Sequence, residues 1–354
     1  MRDAGPSDYE AVRACMDEVF HETAGQKTSD FGRALWDWQY LQGEHPSLVV
    51  VADDDGRLCG YYHALIVDMR RDGRAIRGAM VQDVGTLASY RGRGIFKDMG
   101  GYALRRVREV GAEFVYTFPN ERSRPSFERN HLYQRIAKVP VWISPLSISG
   151  LVAGRLHMPW LSMAGAPFAP IHHAWRTSAA KHASDVAVQR EPVFTRDIEA
   201  LAHSFSAAVA ISLTRSARYL TWRFTEKPNG GYECWSLARG GKRSAYVVTR
   251  RSTLFDSPCV TFMDFGGAAG AENDLRLLMA IRLATEQNAG AVLAVTMGLH
   301  PFFGTLGPLG FVRVPERFNP RPFNLLTRIP GETEPPDLLD PARWQITLAD
   351  WDVL

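Results

Sequence analysis

Hydrophobic and polar positions change period sharply between residues 81 and 132 of the 354-residue chain. Val81 to Leu87 carries the β-branched and apolar residues of a strand. From Ile95 the apolar positions return every fourth residue, at Met99, Ala103 and Val107, which is the stripe of an amphipathic helix. Gly92 and Gly94 stand between the two patterns and free the turn. Glu113 to Phe118 reads as a second strand stopped by Pro119-Asn120, and Ser123 to Leu132 opens a short helix. The stretch predicts strand, glycine loop, helix, strand and helix.

Sliding the chain against itself shows a faint repeat. Trp36-Asp37-Trp38-Gln39-Tyr40 lies over Leu220-Thr221-Trp222-Arg223-Phe224 at an offset of 184 residues, and the same offset matches Gly56 with Gly240 and Tyr62 with Tyr246. Asp83 falls near Asp264 of the similar strand Thr261-Phe262-Met263-Asp264-Phe265. An interval this long predicts duplicated domains, since solenoid periods are far shorter.

The glycine loop decides the chemistry. A strand leading through glycines into a helix N-terminus aims backbone N–H groups and the helix dipole at an anion. A dinucleotide fingerprint would need glycine at Lys97, and a P-loop would need Gly-Lys-Ser/Thr after four intervening residues, so neither fits. What remains is Tyr90-Arg91-Gly92-Arg93-Gly94-Ile95-Phe96 after Asp83-Val84-Gly85-Thr86. This resembles the coenzyme A loop of the GNAT superfamily of N-acetyltransferases, Gln/Arg-x-x-Gly-x-Gly/Ala directly after a strand. Arg91 and Gly94 match, and Phe96 replaces the last small residue. The resemblance implies an acyl-CoA co-substrate on Arg91, Gly92, Arg93, Gly94, Ile95 and Phe96. It also implies a splay between the two parallel strands, where Val84, Thr86 and Leu87 meet the pantetheine or thioester and Asn120 ends the partner strand. Arg93 or Lys97 would take the 3′-phosphate. An ordinary strand-to-helix turn with solvated arginines, and for Asn120 a plain turn role, are the competing readings.

Together with the repeat, the resemblance implies an α/β fold of mixed (α+β) sheets: two GNAT-like domains in tandem, each a twisted mixed β-sheet flanked by helices. The expected division is residues 1–140 for the domain with the acyl-CoA site, 141–190 for an apolar Pro/Gly-rich connection, 191–330 for a degenerate second domain, and 331–354 for a linker and tail. Leu309-Gly310-Phe311 resembles the Leu-Gly-Phe closing the family's later helix. After Asp264 the second copy offers glycines but no Arg-Gly-Arg, and Glu272 would repel a pyrophosphate, so one cofactor site is expected, in the first half.

Composition narrows the partners. A formal charge of +3 is too small to imply nucleic acid, and the arginine groups 70, 71, 74, 77 and 105, 106, 108 read as solvated faces. Cys15, Cys59, Cys234 and Cys259 form no C-x-x-C pair, so neither a disulfide framework nor a zinc site is expected. Early acidic residues Asp3, Asp8 and Glu10 argue against a signal peptide, and a reduced cytoplasmic protein is expected. The apolar segment from Val139 to Trp175 is broken by Pro140, Pro145, Pro159, Pro167 and Pro170, so it is no membrane span; a connection packed on both halves, or a weak interfacial contact, remain. Trp344 and Trp351 are expected to anchor a tail resembling those of tandem GNAT proteins linked to bacterial polysaccharide genes.

Amide formation needs a neutral amine and therefore a base, and a polarised thioester carbonyl, which strand amides supply. Neither step requires a metal. Asp83, on the strand that would carry the thioester, is the first candidate base, and Glu121 the second. The family's usual acid is a tyrosine on the later helix, and Phe127 stands at its place, leaving Tyr133 or His131 as substitutes or an unprotonated thiolate as leaving group. The expected activity is acyl-CoA-dependent N-acyl transfer to a primary amine of a small molecule, with an amino sugar or sugar nucleotide as the class the resemblance implies. The alternatives are an aminoacyl-tRNA-dependent tandem-GNAT transferase and a noncatalytic coenzyme A-binding regulator.

Overall fold

The computed structural model describes residues 1–24, 32–147, 185–254, 257–319, 322–332 and 335–351, so most of the apolar connection and the last three residues lie outside the described residues. Within them, no helix is long and apolar enough to cross a membrane. The chain forms two compact units, one of residues 1–138, 226–229 and 323–341, the other of 139–225, 230–322 and 342–354.

In the first unit, helix α1 (Tyr9–Ala24) buries Tyr9, Val12, Cys15, Met16 and Val19, residues three or four apart that form one stripe. A short turn α2 (Arg33–Trp36) continues as a π-helix over Asp37–Leu41 that buries Trp38, Gln39 and Tyr40. The sheet holds β1 (Arg2–Asp3), β2 (Leu48–Asp54), β3 (Arg57–Arg71), β4 (Arg74–Thr86), β5 (Phe114–Thr117), β6 (Gln134–Val139) and β15 (Phe323–Arg328), in the order β1-β2-β3-β4-β5-β15-β6. β4 and β5 run parallel and are joined by helix α3 (Ile95–Glu109), the crossover that a parallel pair requires. Helix α4 (Arg124–His131) follows β5.

The second unit repeats this plan. Its sheet runs β14-β7-β13-β12-β11-β10-β8, from β7 (Val141–Pro145), β8 (Val186–Glu191), β10 (Tyr232–Arg239), β11 (Lys242–Leu254), β12 (Ser257–Gly267), β13 (Leu293–Met297) and β14 (Val312–Arg313), with a short β9 (Ile211–Leu213) outside it. Helix α5 (Arg196–Ser206) and the turn α6 (Ala217–Leu220) precede a second π-helix, Thr221–Thr225, and helix α7 (Glu272–Asn288) joins the parallel pair β12 and β13. The α-to-π segments recur at the 184-residue offset. Further on the repeat slips by one residue: the two positive-φ turn positions are Asp55 and Gly56 in the first unit and Gly240 and Gly241 in the second, so Gly56 answers to Gly241. Likewise Tyr61, against Gly85, and Tyr246, against Gly266, are the matching cross-strand pairs, so Tyr246 answers to Tyr61 rather than Tyr62. Each sheet also takes a strand from the other repeat: β7 stands beside β13, and β15 beside β5.

Candidate active site

Strand β4 delivers the chain to the loop. The Leu87 amide donates back to the Cys59 carbonyl at 3.0 Å, and a single 3-10 turn over Ala88–Tyr90 leads to Gly92 (φ 78°) and Gly94 (φ 82°), the latter capping α3 in the left-handed region that glycine alone adopts freely. Ile95, Phe96 and Lys97 then open the helix with N–H groups that have no upstream carbonyl within it. Arg91 to Gly94 are exposed, so amides, dipole and cationic side chains face solvent together. Arg91 Nε donates to the Thr86 carbonyl at 3.0 Å and its Nη2 to Glu22 at 3.2 Å, while Arg93 lies 5.0 Å over the Tyr90 ring. Lys97 is exposed. Phe96, the departure from the small residue, is half-buried in a ring cluster, 4.6 Å from His131 and 5.4 Å from Phe127, so its bulk is taken up by packing.

Beside the loop the parallel strands part. Gly78–Val81 pair with Phe114–Thr117, and no pairing with β5 continues past Val81. Because Leu87 bonds to β3, strand alternation turns the peptide groups of Thr86 and Val84 away from β3 and toward the opening. Asn120 ends the partner side, its Oδ1 accepting from the Arg122 and Ser123 amides at 3.0 and 2.9 Å, which makes it the organiser of the turn into α4.

Asp83 is the extra residue of a β-bulge in β4, between the pairs Tyr62/Val84 and His63/Gln82, and it sits at φ 43°. Holding a non-glycine residue there costs energy, and such strain gathers at functional sites. Its half-buried carboxylate Oδ2 accepts from Tyr40 Oη at 2.5 Å and from Gln39 Nε2 at 3.0 Å, and Gln39 also donates to Tyr40 Oη at 2.7 Å. Sequence reasoning passed over Gln39 and Tyr40. The signal was the aromatic segment Trp36 to Tyr40 itself, read as a repeat marker and not as a π-helix, which places successive side chains where an α-helix would not.

The other candidates fall elsewhere. Tyr133 is buried, its hydroxyl 3.3 Å from that of Tyr62 and pushed well above the usual phenol range by desolvation. Tyr62 and His63 are neighbours on β3 and so point to opposite faces; Tyr40, which bonds Asp83, packs 4.4 Å from the His63 ring, so Asp83 and Tyr133 lie on different faces of the sheet. His131 sits near Tyr133, Nε2 3.1 Å from the Phe96 carbonyl, with burial holding its imidazole neutral to lower pH than usual. Phe127 is buried in the same ring cluster. Glu121, near the start of α4, accepts from Asn324 Nδ2 at 3.3 Å and from Arg124 at 3.2 Å, and the Asn324 bond first and Arg124 next hold its carboxyl below the usual range. Asn324 was also missed, because it lies on β15, two hundred residues away in sequence, and only the sheet brings it to Pro119 and Glu121.

Residues 1–134 match the acetyltransferase (GNAT) domain family. No curated protein sequence matches the chain. Among solved structures, a GCN5-related N-acetyltransferase from Anabaena variabilis ATCC 29413 superposes with a TM-score of 0.60 at 11% identity, over 92% of this chain and 71% of that one. A conserved protein of unknown function, a probable N-acyltransferase, from Enterococcus faecalis V583 gives 0.62 at 10% identity over 93% and 72%. Saccharomyces cerevisiae N-myristoyltransferase with bound myristoyl-CoA gives 0.57 at 9% over 91% and 80%. At these identities the likeness is one of fold, and it covers both units of the chain.

Proposed function

We propose that this chain is an acyl-CoA-dependent N-acyltransferase acting on a primary amine of a small molecule. The observation that carries the reading is the exposed α3 N-terminus with its two left-handed glycines, set beside a strand whose outward peptide groups at Val84 and Thr86 border the parting of β4 and β5. The donor set suits the ligand: loop amides from Gly92 to Phe96 with Arg91 and Arg93 for phosphate oxygens, and strand peptide groups for the amides of an extended pantetheine arm. The match of residues 1–134 to an acetyltransferase domain supports it.

Transfer needs a proton removed from the amine, a carbonyl polarised at the thioester, and both substrates held together. In this reading Asp83 is the base, directly or through one water, with Tyr40 and Gln39 orienting the carboxylate through Oδ2. Strand amides near Val84 polarise the carbonyl. Glu121 is the alternative base, already tied to Asn324 and Arg124. The thiolate leaves without help from Tyr133, whose hydroxyl is buried on the other face. An amino sugar or sugar nucleotide as acceptor rests on the resemblance of the tail alone. A coenzyme A-binding protein without turnover is the second reading, favoured by Phe127 at the place of the customary acid.

Thermal melting with acetyl-CoA, longer acyl-CoAs and free coenzyme A tests it, because a ligand that binds only the folded state raises the melting temperature. A shift that disappears in Gly94→Glu is expected; no shift with any of them overturns the reading. Binding without turnover across an amine panel supports the second reading.

A further inference from the structure

The second unit uses the same parted strands differently. There β12 and β13 pair only at Cys259–Thr261 with Leu293–Val295 and then diverge. The Gly298 amide donates to the Pro140 carbonyl beside β7, so alternation turns Leu299 toward the β12 side. On that side Leu299 and Ile346 exchange two backbone hydrogen bonds, each 2.9 Å. From β12, Asp264 accepts from Thr347 Oγ1 and from Arg215 Nε, both at 2.9 Å, and Arg215 Nη2 donates to Asp350 at 2.6 Å. The three charged side chains are at most 1% exposed. Tyr219 Oη and Arg223 Nε donate to the Ala349 carbonyl at 3.2 Å, and Arg223 Nη2 to that of Trp351 at 2.7 Å.

One of these groups has a counterpart beside Asp83 in the first unit, and it holds the segment 344–351 itself and not Asp264. Arg223 stands at the π-helix place of Gln39, at the 184-residue offset. Asp264 precedes Gly266 as Asp83 precedes Gly85, each glycine lying across from a tyrosine. At the start of α7, where a phosphate would sit, Asp274 instead accepts from Arg239 at 2.8 Å and Ser244 at 2.7 Å.

We infer that residues 344–351 are the resident ligand of the second unit's cleft, a segment of the chain held in cis where the first unit is proposed to hold the pantetheine arm. The cleft and the segment form one cooperative element, because Arg215 and its two carboxylates would be buried with a partner missing if either left. It follows that each chain takes one acyl-CoA; this count rests on the function proposed above, whereas the occupancy of the cleft does not.

Hydrogen exchange on the full-length protein, unaltered and with Ile346→Pro or Thr347→Val, tests the inference. In the unaltered protein the amides of Leu299, Gln345 and Ile346 should be as protected as those of β12. In the variants, residues 262–267, 297–300 and 344–351 should exchange at least tenfold faster together, while β2 to β5 stay unchanged. If one variant fails to fold, the other carries the comparison, and the unaltered protein alone still decides. Tail amides exchanging freely in the unaltered protein, or a released tail that leaves 262–267 and 297–300 fully protected, overturn it. Titration with acyl-CoA is read separately: one equivalent is expected and two would overturn the inference, whereas none would overturn the proposed function and leave the exchange result standing.

Discussion

At the level of single residues, the proposed site rests on one carboxylate in an unusual backbone. Asp83 is half-buried, strained and bonded by Tyr40 and Gln39, so its replacement should affect chemistry more than binding. Asp83→Asn is expected to lower kcat by about 10²–10⁴-fold, the usual worth of a general base, with acyl-CoA affinity nearly unchanged. Tyr40→Phe removes a hydrogen bond to a charged group, worth about 1.5–3 kcal/mol, and should lower kcat by about tenfold or more with KM for acyl-CoA unmoved. Steady-state kinetics with both substrates varied separates the two effects; a rise confined to KM would remove Tyr40 from a positioning role. His63 makes a different prediction. It is fully buried among the rings of Trp36, Tyr40 and Tyr61, both ring nitrogens lack a partner among the described residues, and burial pushes its imidazole down to about 3. The unfolded chain takes up a proton near pH 6.5 that the folded one refuses, so stability is complete above that pH and falls as pH drops toward the folded value, by up to about 1.4 kcal/mol per unit. Urea midpoints between pH 7 and 4.5 should show this slope reduced in His63→Phe. His300, pushed down to about 4 by burial, supplies a further share, so the slope should not vanish.

Among the elements, the packing of α3 against α4 sets the shape behind the glycine loop. Gly100 lies under the His131 ring so closely that a Cβ there would meet Nε2 at 2.0 Å, and this approach lets the ring reach the Phe96 carbonyl. Gly100→Ala gains intrinsic helix propensity but collides with a buried ring, and overpacking of this kind typically costs about 1–3 kcal/mol, more than the propensity returns. Its urea midpoint is therefore expected to fall; a midpoint at or above the unaltered protein would show that α4 can shift freely. The strand, loop and helix at residues 81–109 were legible in sequence because each follows its own local period, and both glycines adopt the positive φ that the turn requires. The π-helices were not, because a π-turn has no hydrophobic period of its own and is set by packing of Trp36, Trp38 and Tyr40, all at most 2% exposed.

For the molecule as a whole, the strand exchange has a direct consequence. A fragment of residues 1–140 contains every motif residue yet lacks β15, leaving the inner edge of β5 unpaired and Asn324 absent from Pro119. Such a fragment is expected to show no cooperative urea transition; a cooperative one would mean that the sheet closes without β15. The amino-acid sequence determined what is local: the glycine-loop geometry, the helical and strand periods beside it, and the duplication, whose 184-residue offset reappears in the π-helices. The tertiary structure alone decided which carboxylate is held by a phenol and an amide, which sheet each of β7 and β15 completes, and that the segment anchored by Trp344 and Trp351 lies along Leu299. The reason is that strand pairing and buried ion pairs join residues far apart in the chain, and nothing in the local order of side chains encodes which distant partner they meet.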